Sequence, residues 1–453
     1  MSYPGAGTDQ KRRRPSTSQA LMNNSGHPNL LFLCQRLPFP PNKGEKITSF
    51  NMVRHLGQRF RVHVGTFVDA QEDLPEIERF RPYCASLHVE RIAKPWAWGP
   101  ALLRWLGGMP LSFAMFRAAG LKAYVRDVIA QYQPVAIVTH SSNISDYALI
   151  PTARQTVRVL HFADVDSEKF DAYAMQAKGW KRWLFTLEAR RVRSAEARLV
   201  AGADAIGFVS DEEAALFRAV VDTRATRVVT IGNGVDVAAF DPAKPWIRPD
   251  WGEGPALVFT GAMDYQPNID AVLWFADVVF PSVRALHGEA QFAIVGSNPV
   301  SAVKALVRRP GVLVTGRVPN VQPFLAHAAA AVAPLRIARG IQNKVLEALA
   351  MGRPTIVTTD ALTGIGMSDT TPVIVADSAD AWITACQRVL DDPASAAGLA
   401  ARARPFVIDH FSWTAQLSPL DALLPSAHSV PCQAGSLPDE AETDSTAFTL
   451  LGE

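Results

Sequence analysis

The sequence predicts an α/β fold: two Rossmann-like β/α/β domains facing a cleft. Three observations carry this expectation. First, short β-rich apolar runs alternate with longer helical patterns between residues 29 and 390. Repeated β-α units build parallel sheets covered by helices. Second, the alternation pauses at Asp241-Pro-Ala-Lys-Pro-Trp-Ile-Arg-Pro-Asp250, a polar stretch with three prolines that reads as a linker. Third, the charge divides at the same place. Residues 1–240 hold 31 Lys and Arg against 22 Asp and Glu, a balance of +9, whereas residues 241–453 hold 14 against 21, a balance of −7. Ligands of such sheets bind outside the carboxyl ends of the strands, hence in the cleft.

The elements follow in order. Residues 1–27, rich in Gly, Ser, Thr, Asn and Pro without periodicity, read as a disordered tail. The N-terminal domain, 28–236, opens with a strand over Asn29–Leu33, a Pro/Gly loop and a helix over 45–56. Strands are expected at Val62–Phe67, Val135–Thr139, Val157–Phe162, Ala205–Val209 and Val228–Ile231, with a long charged helix over 178–201 and a shorter one over 212–220. A linker covers 237–255. The C-terminal domain, 256–425, continues with strands at Ala256–Phe259, Gln291–Val295, Val312–Thr315, Ala331–Pro334 and Thr355–Thr358. Helices lie between them at 269–280, 301–307, 322–329 and 343–351, and one follows at 380–390. The option that the last helix crosses back to the first domain is left open. Residues 426–453, acidic and without Lys or Arg, read as a second disordered tail.

Composition excludes several classes. With 48% apolar and 19% charged residues the chain can fill its cores, so wholesale disorder is ruled out. The uncharged stretch Val318–Leu335 contains three prolines and cannot be a spanning helix. The four cysteines, Cys34, Cys84, Cys386 and Cys432, are scattered, as in a reducing compartment. Lys11-Arg-Arg-Arg14 is followed by no apolar run, so no secretory signal is expected and the chain reads as cytoplasmic.

The segment Leu335–Pro354 is the most informative. Gly340 leads into a helix whose first turn holds Asn343 and Lys344. Free backbone N–H groups and the positive end of a helix suit a diphosphate, and Lys344 adds a point charge. Glu347 lies one turn on, flanked by Val345, Leu346, Ala348 and Leu349. A carboxylate there could take two hydroxyls of a ribose. The plainer alternative is a helix docked under the sheet, with Lys344 solvated and Glu347 capping a neighbour. Spacing alone leaves both open.

Thr260-Gly-Ala-Met-Asp-Tyr-Gln-Pro-Asn268, Ala293-Ile-Val-Gly296, Val314-Thr-Gly-Arg-Val318 and the Gly340–Pro354 stretch occur in that order, after Gly232-Asn-Gly-Val-Asp236. Together they resemble the retaining glycosyltransferases of family four, with the GT-B fold. Pro38–Lys46 and His161–Lys169 resemble, more narrowly, the sugar transferases of bacterial exosortase and exopolysaccharide loci. The resemblance implies a nucleotide-sugar donor as substrate, a glycan or lipid-linked acceptor, retention of anomeric configuration, no metal and no cofactor. It implies that Glu347 holds the ribose. The acid that would contact the donor sugar is replaced by Arg339, and Gly261-Ala-Met-Asp-Tyr265 lacks the family's diphosphate-binding cations. The donor set is therefore expected at Gly44, Gly261, Arg317, Val318, Arg339, Gly340, Ile341, Lys344 and Glu347. Lys344 and Arg339 supply the missing charge, and Arg317 and Val318 meet the base.

In the first domain Lys43-Gly44-Glu45-Lys46 opens a helix that could cradle a phosphate, or could be a turn with solvated lysines. Asp164 and His140 are the candidate catalytic residues, both expected at strand ends facing the cleft. Asp164-Val-Asp166 also has the form of a metal-binding pair, but that role belongs to a single-domain architecture. Asp166 is read as a helix cap. Two stretches suggest an anionic membrane surface at the inner face of the plasma membrane: Lys94–Leu106 with three tryptophans, and Lys178–Arg198 with seven cations. Their alternatives are core and solvated face. No nucleic-acid-binding motif accompanies the basic residues. The function expected is glycosyl transfer, with a nucleotide-sugar epimerase of the same fold or a non-catalytic binding relic as alternatives.

Overall fold

A computed structural model of the chain describes residues 26–41, 44–92, 94–152, 155–338, 341–368 and 370–425. The two expected tails lie outside these residues, apart from Gly26 and His27. So do Lys43, Arg339 and Gly340.

Seven parallel strands form the first sheet: β1 (Asn29–Cys34), β2 (Arg61–Val68), β3 (Ser86–Arg91), β4 (Ala136–His140), β5 (Val157–Ala163), β6 (Ala205–Phe208) and β7 (Arg227–Thr230). Their order is β3-β2-β1-β4-β5-β6-β7. The central strands are buried along almost their whole length because helices cover both faces. These helices are α1 (Gly44–Leu56), α2 (Lys94–Leu106), α3 (Ala119–Tyr132), α4 (Asp166–Gln176), α5 (Trp180–Ala201) and α6 (Asp211–Val220). The second sheet holds β8 (Ala256–Thr260), β9 (Gln291–Val295), β10 (Val312–Gly316), β11 (Ala330–Ala333), β12 (Thr355–Val357) and β13 (Ile374–Val375), in the order β10-β9-β8-β11-β12-β13. Around it lie α7 (Gln266–Trp274), α8 (Asn343–Ala350), α9 (Ala379–Asp391) and α10 (Pro393–Phe411), followed by α11 (Trp413–Asp421). This is the expected pair of Rossmann-like domains. In each sheet the strand order reverses beside the first strand, at β1/β4 and at β8/β11. That reversal opens a crevice at the carboxyl ends.

Several elements went unforeseen. β3 is an edge strand of polar alternation with half-exposed residues, so it lacks an apolar run. The two-residue β13 is too short to signal. The helix expected over 269–280 is interrupted by a wider π turn at Phe275–Val279. Residues 237–255 hold no helix or strand, yet they are packed: Phe240 and Trp251 are buried in the C-terminal core.

The chain crosses between the domains twice. After α10 it returns, and α11 places Leu417 and Leu420 in the same buried cluster as Leu30 and Phe32 of β1. His55 Nε2 lies 2.8 Å from Asp421 Oδ2, and Arg59 donates to Asp421 Oδ1 at 2.6 Å. Despite partial burial, these two partners hold the Asp421 carboxyl below its usual range. The two crossings touch each other, since the Val235 N–H donates to the Phe411 carbonyl at 2.8 Å.

Leu417 is therefore a core residue of the first domain, although the second domain separates it in sequence. Leu417→Ala should destabilise the first domain by about 2–5 kcal/mol, the usual cost of a buried Leu-to-Ala cavity. Denaturant unfolding followed through that domain checks this. An unchanged midpoint would show that α11 does not complete the core.

Candidate functional site

Three cavities line the cleft, and the first lies at the carboxyl ends of β1, β4 and β5. It measures about 500 Å³, and its walls include Gln35, Gly44, His140, Ser141, Asn143 and Asp164. Two residues at its strand ends, Ser141 (φ 102°) and Ala163 (φ 72°), adopt left-handed backbone that non-glycine residues rarely take. Such backbone costs of order 1–3 kcal/mol and gathers at functional sites. The Ser141 hydroxyl donates to Gln35 Oε1 at 3.0 Å, which ties the ends of β4 and β1 together. The Asn143 Oδ1 is buried with no hydrogen-bond partner among the described residues.

The charged lining of this cavity is Glu45, Asp164 and Asp166 against Lys169. The Lys169 ammonium lies 3.8 Å from Asp164 and 3.7 Å from Asp166, between the two carboxylates. Asp166 does not cap its helix as expected. The cap position falls on Val165, which offers no side-chain bond, while the Ser142 hydroxyl donates to Asp166 Oδ2 at 2.5 Å. Burial pushes the Asp166 carboxyl up in pKa. Gly44 opens α1 in open space, and the described charges beside it are already paired. Glu45 pairs with Arg36, and Lys46 is buried against Asp73 at 2.7 Å rather than solvated.

His140 and His161 lie side by side in the register of β4 and β5, with 2.9 Å between their Nδ1 atoms. Both are buried. Desolvation lowers their pKa values to about 3 and about 4, so both rings are neutral at physiological pH.

The second cavity, about 430 Å³, lies at the carboxyl ends of β8, β9 and β10 against the start of α8. Here the structure gathers Gly261, Arg317, Val318, Lys344 and Glu347. Ile341 instead packs against the C-terminal core. Lys344 Nζ donates to Asn268 Oδ1 at 2.8 Å and lies 5.2 Å from the centre of the Phe259 ring. Asn268, not foreseen from sequence, holds the ammonium in place. Its own amide donates to the Ala262 carbonyl at 2.9 Å. Arg317 is exposed. Burial pushes the Glu347 carboxyl up to about 7, opposed by Lys344, and pulls Lys344 down to about 8, opposed by Glu347. Glu347 is thus a carboxyl on a cavity wall beside a cation, with no hydrogen-bond partner among the described residues.

Glu347 and Asn343 also line a third, smaller cavity of about 200 Å³ between the domains. Its other walls include Ile47, Asn51 and Arg54 of α1. The adjoining side of α1 presents Thr48 to the first cavity. One helix therefore separates the two sites.

Comparison with known proteins agrees with this arrangement. The family model described as glycosyl transferases group 1 matches residues 254–392, and that described as glycosyl transferase 4-like domain matches residues 46–234. The chain is a glycosyltransferase of the GT-B fold. Among curated proteins none matches the sequence. Among solved structures, sucrose-phosphate synthase from Thermosynechococcus elongatus is similar at 18% identity and a TM-score of 0.56. That match covers 87% of this chain and 98% of that one. HepE from Anabaena, in complex with UDP and glucose, has 12% identity and a TM-score of 0.57, covering 87% and 99%. WaaG, a glycosyltransferase involved in lipopolysaccharide biosynthesis, has 14% identity and a TM-score of 0.54, also covering 87% and 99%.

The charges of the second cavity set a pH window. A ribose held by Glu347 would bind best to the ionised carboxylate, hence above about pH 7, and a diphosphate held by Lys344 would bind best to the charged ammonium, hence below about pH 8. Nucleoside diphosphate affinity of the glycosyltransferase should peak between these values. Glu347→Gln should weaken binding by about 1–3 kcal/mol at the peak and abolish the acidic limb. Calorimetric titration of UDP at several pH values checks both. A variant with unchanged affinity and an unchanged acidic limb would remove Glu347 from the site.

Proposed function

We propose that this glycosyltransferase moves a sugar from a nucleoside diphosphate donor to a hydroxyl of a glycan or lipid-linked acceptor, with retention of anomeric configuration. The observation that carries the reading is Glu347. It is a partly buried carboxyl with no hydrogen-bond partner among the described residues, facing a cavity that also holds Lys344 and Arg317. The ribose would bridge its two oxygens, and the cations would balance the diphosphate. The first cavity, lined by hydroxyls, amides and His140, would hold the sugar and the acceptor.

In the step proposed, the acceptor oxygen bonds to the anomeric carbon on the face from which the phosphate oxygen leaves. The C–O bond to the diphosphate breaks with its electron pair, and the acceptor proton passes to a phosphate oxygen. Lys344 and Arg317 would stabilise the charge that develops on the leaving group. The two walls would position the reactants and exclude water. Asp164 would face the acceptor rather than a metal, because Lys169 already occupies the space between Asp164 and Asp166. UDP is the first nucleotide to try, since HepE is described in complex with it. The proposed pathway is the assembly of an exopolysaccharide; WaaG, similar in fold, is described as involved in lipopolysaccharide biosynthesis.

No helix among the described residues is long and apolar enough to cross a membrane. The proposed site of action is cytoplasmic, with the first domain resting on an anionic membrane that presents a lipid-linked acceptor. Leu102, Leu103 and Leu106 of α2 are exposed, as are Met175, Trp180 and Trp183 at the junction of α4 and α5. Arg191 holds α2 and α5 together, donating to the Trp105 carbonyl at 2.7 Å with its guanidinium 4.8 Å from the Trp105 ring centre. The basic helix is thus smaller as a lipid contact than its sequence suggests. Arg191 is engaged with Trp105, and Arg193 pairs with Glu168 and Asp171 at 2.6 Å. The Trp96 and Trp98 side chains lie outside the described residues. Lys178, Lys181, Arg182, Arg190 and Arg198 remain exposed cations, the first three beside the two tryptophans.

Two measurements test the reading. A thermal-shift panel of nucleotide sugars should identify the donor, and turnover of that donor should persist in excess chelator. Activity lost to chelator and restored by manganese or magnesium would overturn the metal-free step. Sedimentation with anionic vesicles should exceed that with neutral ones and fade with salt. Replacing Trp180 and Trp183 by Ser should abolish it. Equal sedimentation with both vesicle types would place the acceptor in solution.

A further inference from the structure

His161 is not part of the cavity lining, yet it determines what His140 offers there. The ring of His161 reaches across β6 and places its Nε2 3.0 Å from the Ile231 carbonyl. Gly207, the register partner of His161 on β6, makes that reach possible. A Cβ at 207 would lie 2.9 Å from both His161 Cδ2 and Ile231 Cδ1. A carbonyl can only accept, so the His161 proton sits on Nε2. In a neutral ring its Nδ1 is then bare. That Nδ1 lies 2.9 Å from His140 Nδ1, so His140 must donate there. The network therefore assigns the His140 proton to Nδ1 and leaves Nε2 without one. Nε2 lies on the edge of the His140 ring away from His161, and His140 lines the first cavity.

We infer that His161, anchored by the Ile231 carbonyl, is a positioning residue that fixes His140 as a hydrogen-bond acceptor for a hydroxyl of the transferred sugar. This rests on the donor reading above. A bare nitrogen accepts from a hydroxyl but cannot donate to a carboxylate or a phosphate oxygen. The relay therefore favours a neutral, hydroxyl-bearing sugar at this point over an acidic one. The arrangement is self-consistent only while both rings are neutral. A proton added to the pair would turn His161 into a double donor and reverse the polarity of His140. Burial of both rings opposes that, and the charged group facing them is Asp164, which favours the protonated form of His161.

The test compares wild type with His161→Phe, His161→Gln and Gly207→Ala. Nitrogen-15 NMR of labelled histidine reads the His140 tautomer directly. Wild type should show a proton on Nδ1 and none on Nε2, unchanged between pH 5 and 8. His161→Phe removes the acceptor and should return His140 to a mixture of tautomers. His161→Gln can still accept from His140 while donating to Ile231, and should preserve the wild-type signature. Gly207→Ala, which touches neither histidine's chemistry, should loosen the lock by displacing the His161 ring. Calorimetry with UDP-glucose and UDP supplies the second readout. His161→Phe should lose about three- to tenfold in affinity for UDP-glucose, the scale of one neutral hydrogen bond, with UDP affinity unchanged. A proton on His140 Nε2 in the wild type, or a tautomer insensitive to His161→Phe, would overturn the inference. Failure to bind either nucleotide would instead count against the donor reading, and the NMR result would still decide the role of His161.

Discussion

The cleft depends on one contact between the two chain crossings. The Val235 N–H bonds to the Phe411 carbonyl, and the next turn of chain lies directly on it. A Cβ at Gly234 would sit 2.7 Å from the backbone of Trp413, so no other residue permits this approach without a shift of the backbone. The two crossings hold one face of α1 against the start of α8. That juxtaposition places Asn51 and Glu347 around one small cavity. Without it the two domains would each keep a crevice at their strand ends, but the crevices would share no wall.

The two crevices differ in electrical character, and the difference matches the two halves of the proposed donor. The wall built on α8 and the end of β10 carries Lys344 and Arg317 beside a single carboxyl, which suits an anionic diphosphate attached to a ribose. The wall built on β1, β4 and β5 carries one neutral imidazole, hydroxyls and amides, with carboxylates in excess of its lysine. That suits a sugar better than a phosphate. The excess positive charge of the first domain lies elsewhere, partly on exposed cations at the start of α5 and partly in ion pairs such as Arg193 with Glu168 and Asp171.

Much of this was legible in the sequence because parallel β-α units announce themselves. β1 and β8 are continuous apolar runs, since both their faces are covered. Lys344 and Glu347 were legible because a glycine-led helix with an acid among aliphatics is unusual. Other features were not. α3 carries its buried residues at Leu121, Val125, Val128 and Ile129, a helical spacing that a strand-centred reading passed over. Asp166 looked like a cap because an acid followed by Ser opens a helix, but the partner that claims it, Ser142, is distant in sequence and reached only through the fold. Asn268 and Gln35 gave no signal, since an isolated amide has no pattern of its own. The His140–His161 pair was invisible for the same reason. Neither histidine carries a pattern that points to the other, and only strand register brings them together.

The central claim is that one donor spans the cleft, with its nucleotide on α8 and its sugar on β4. A crystal structure with a bound UDP-sugar tests it most directly. The account predicts ribose hydroxyls on Glu347, the diphosphate near Lys344 and Arg317, and a sugar hydroxyl on His140 Nε2. A nucleotide seated in the first cavity, or a sugar ring turned away from His140, would contradict it.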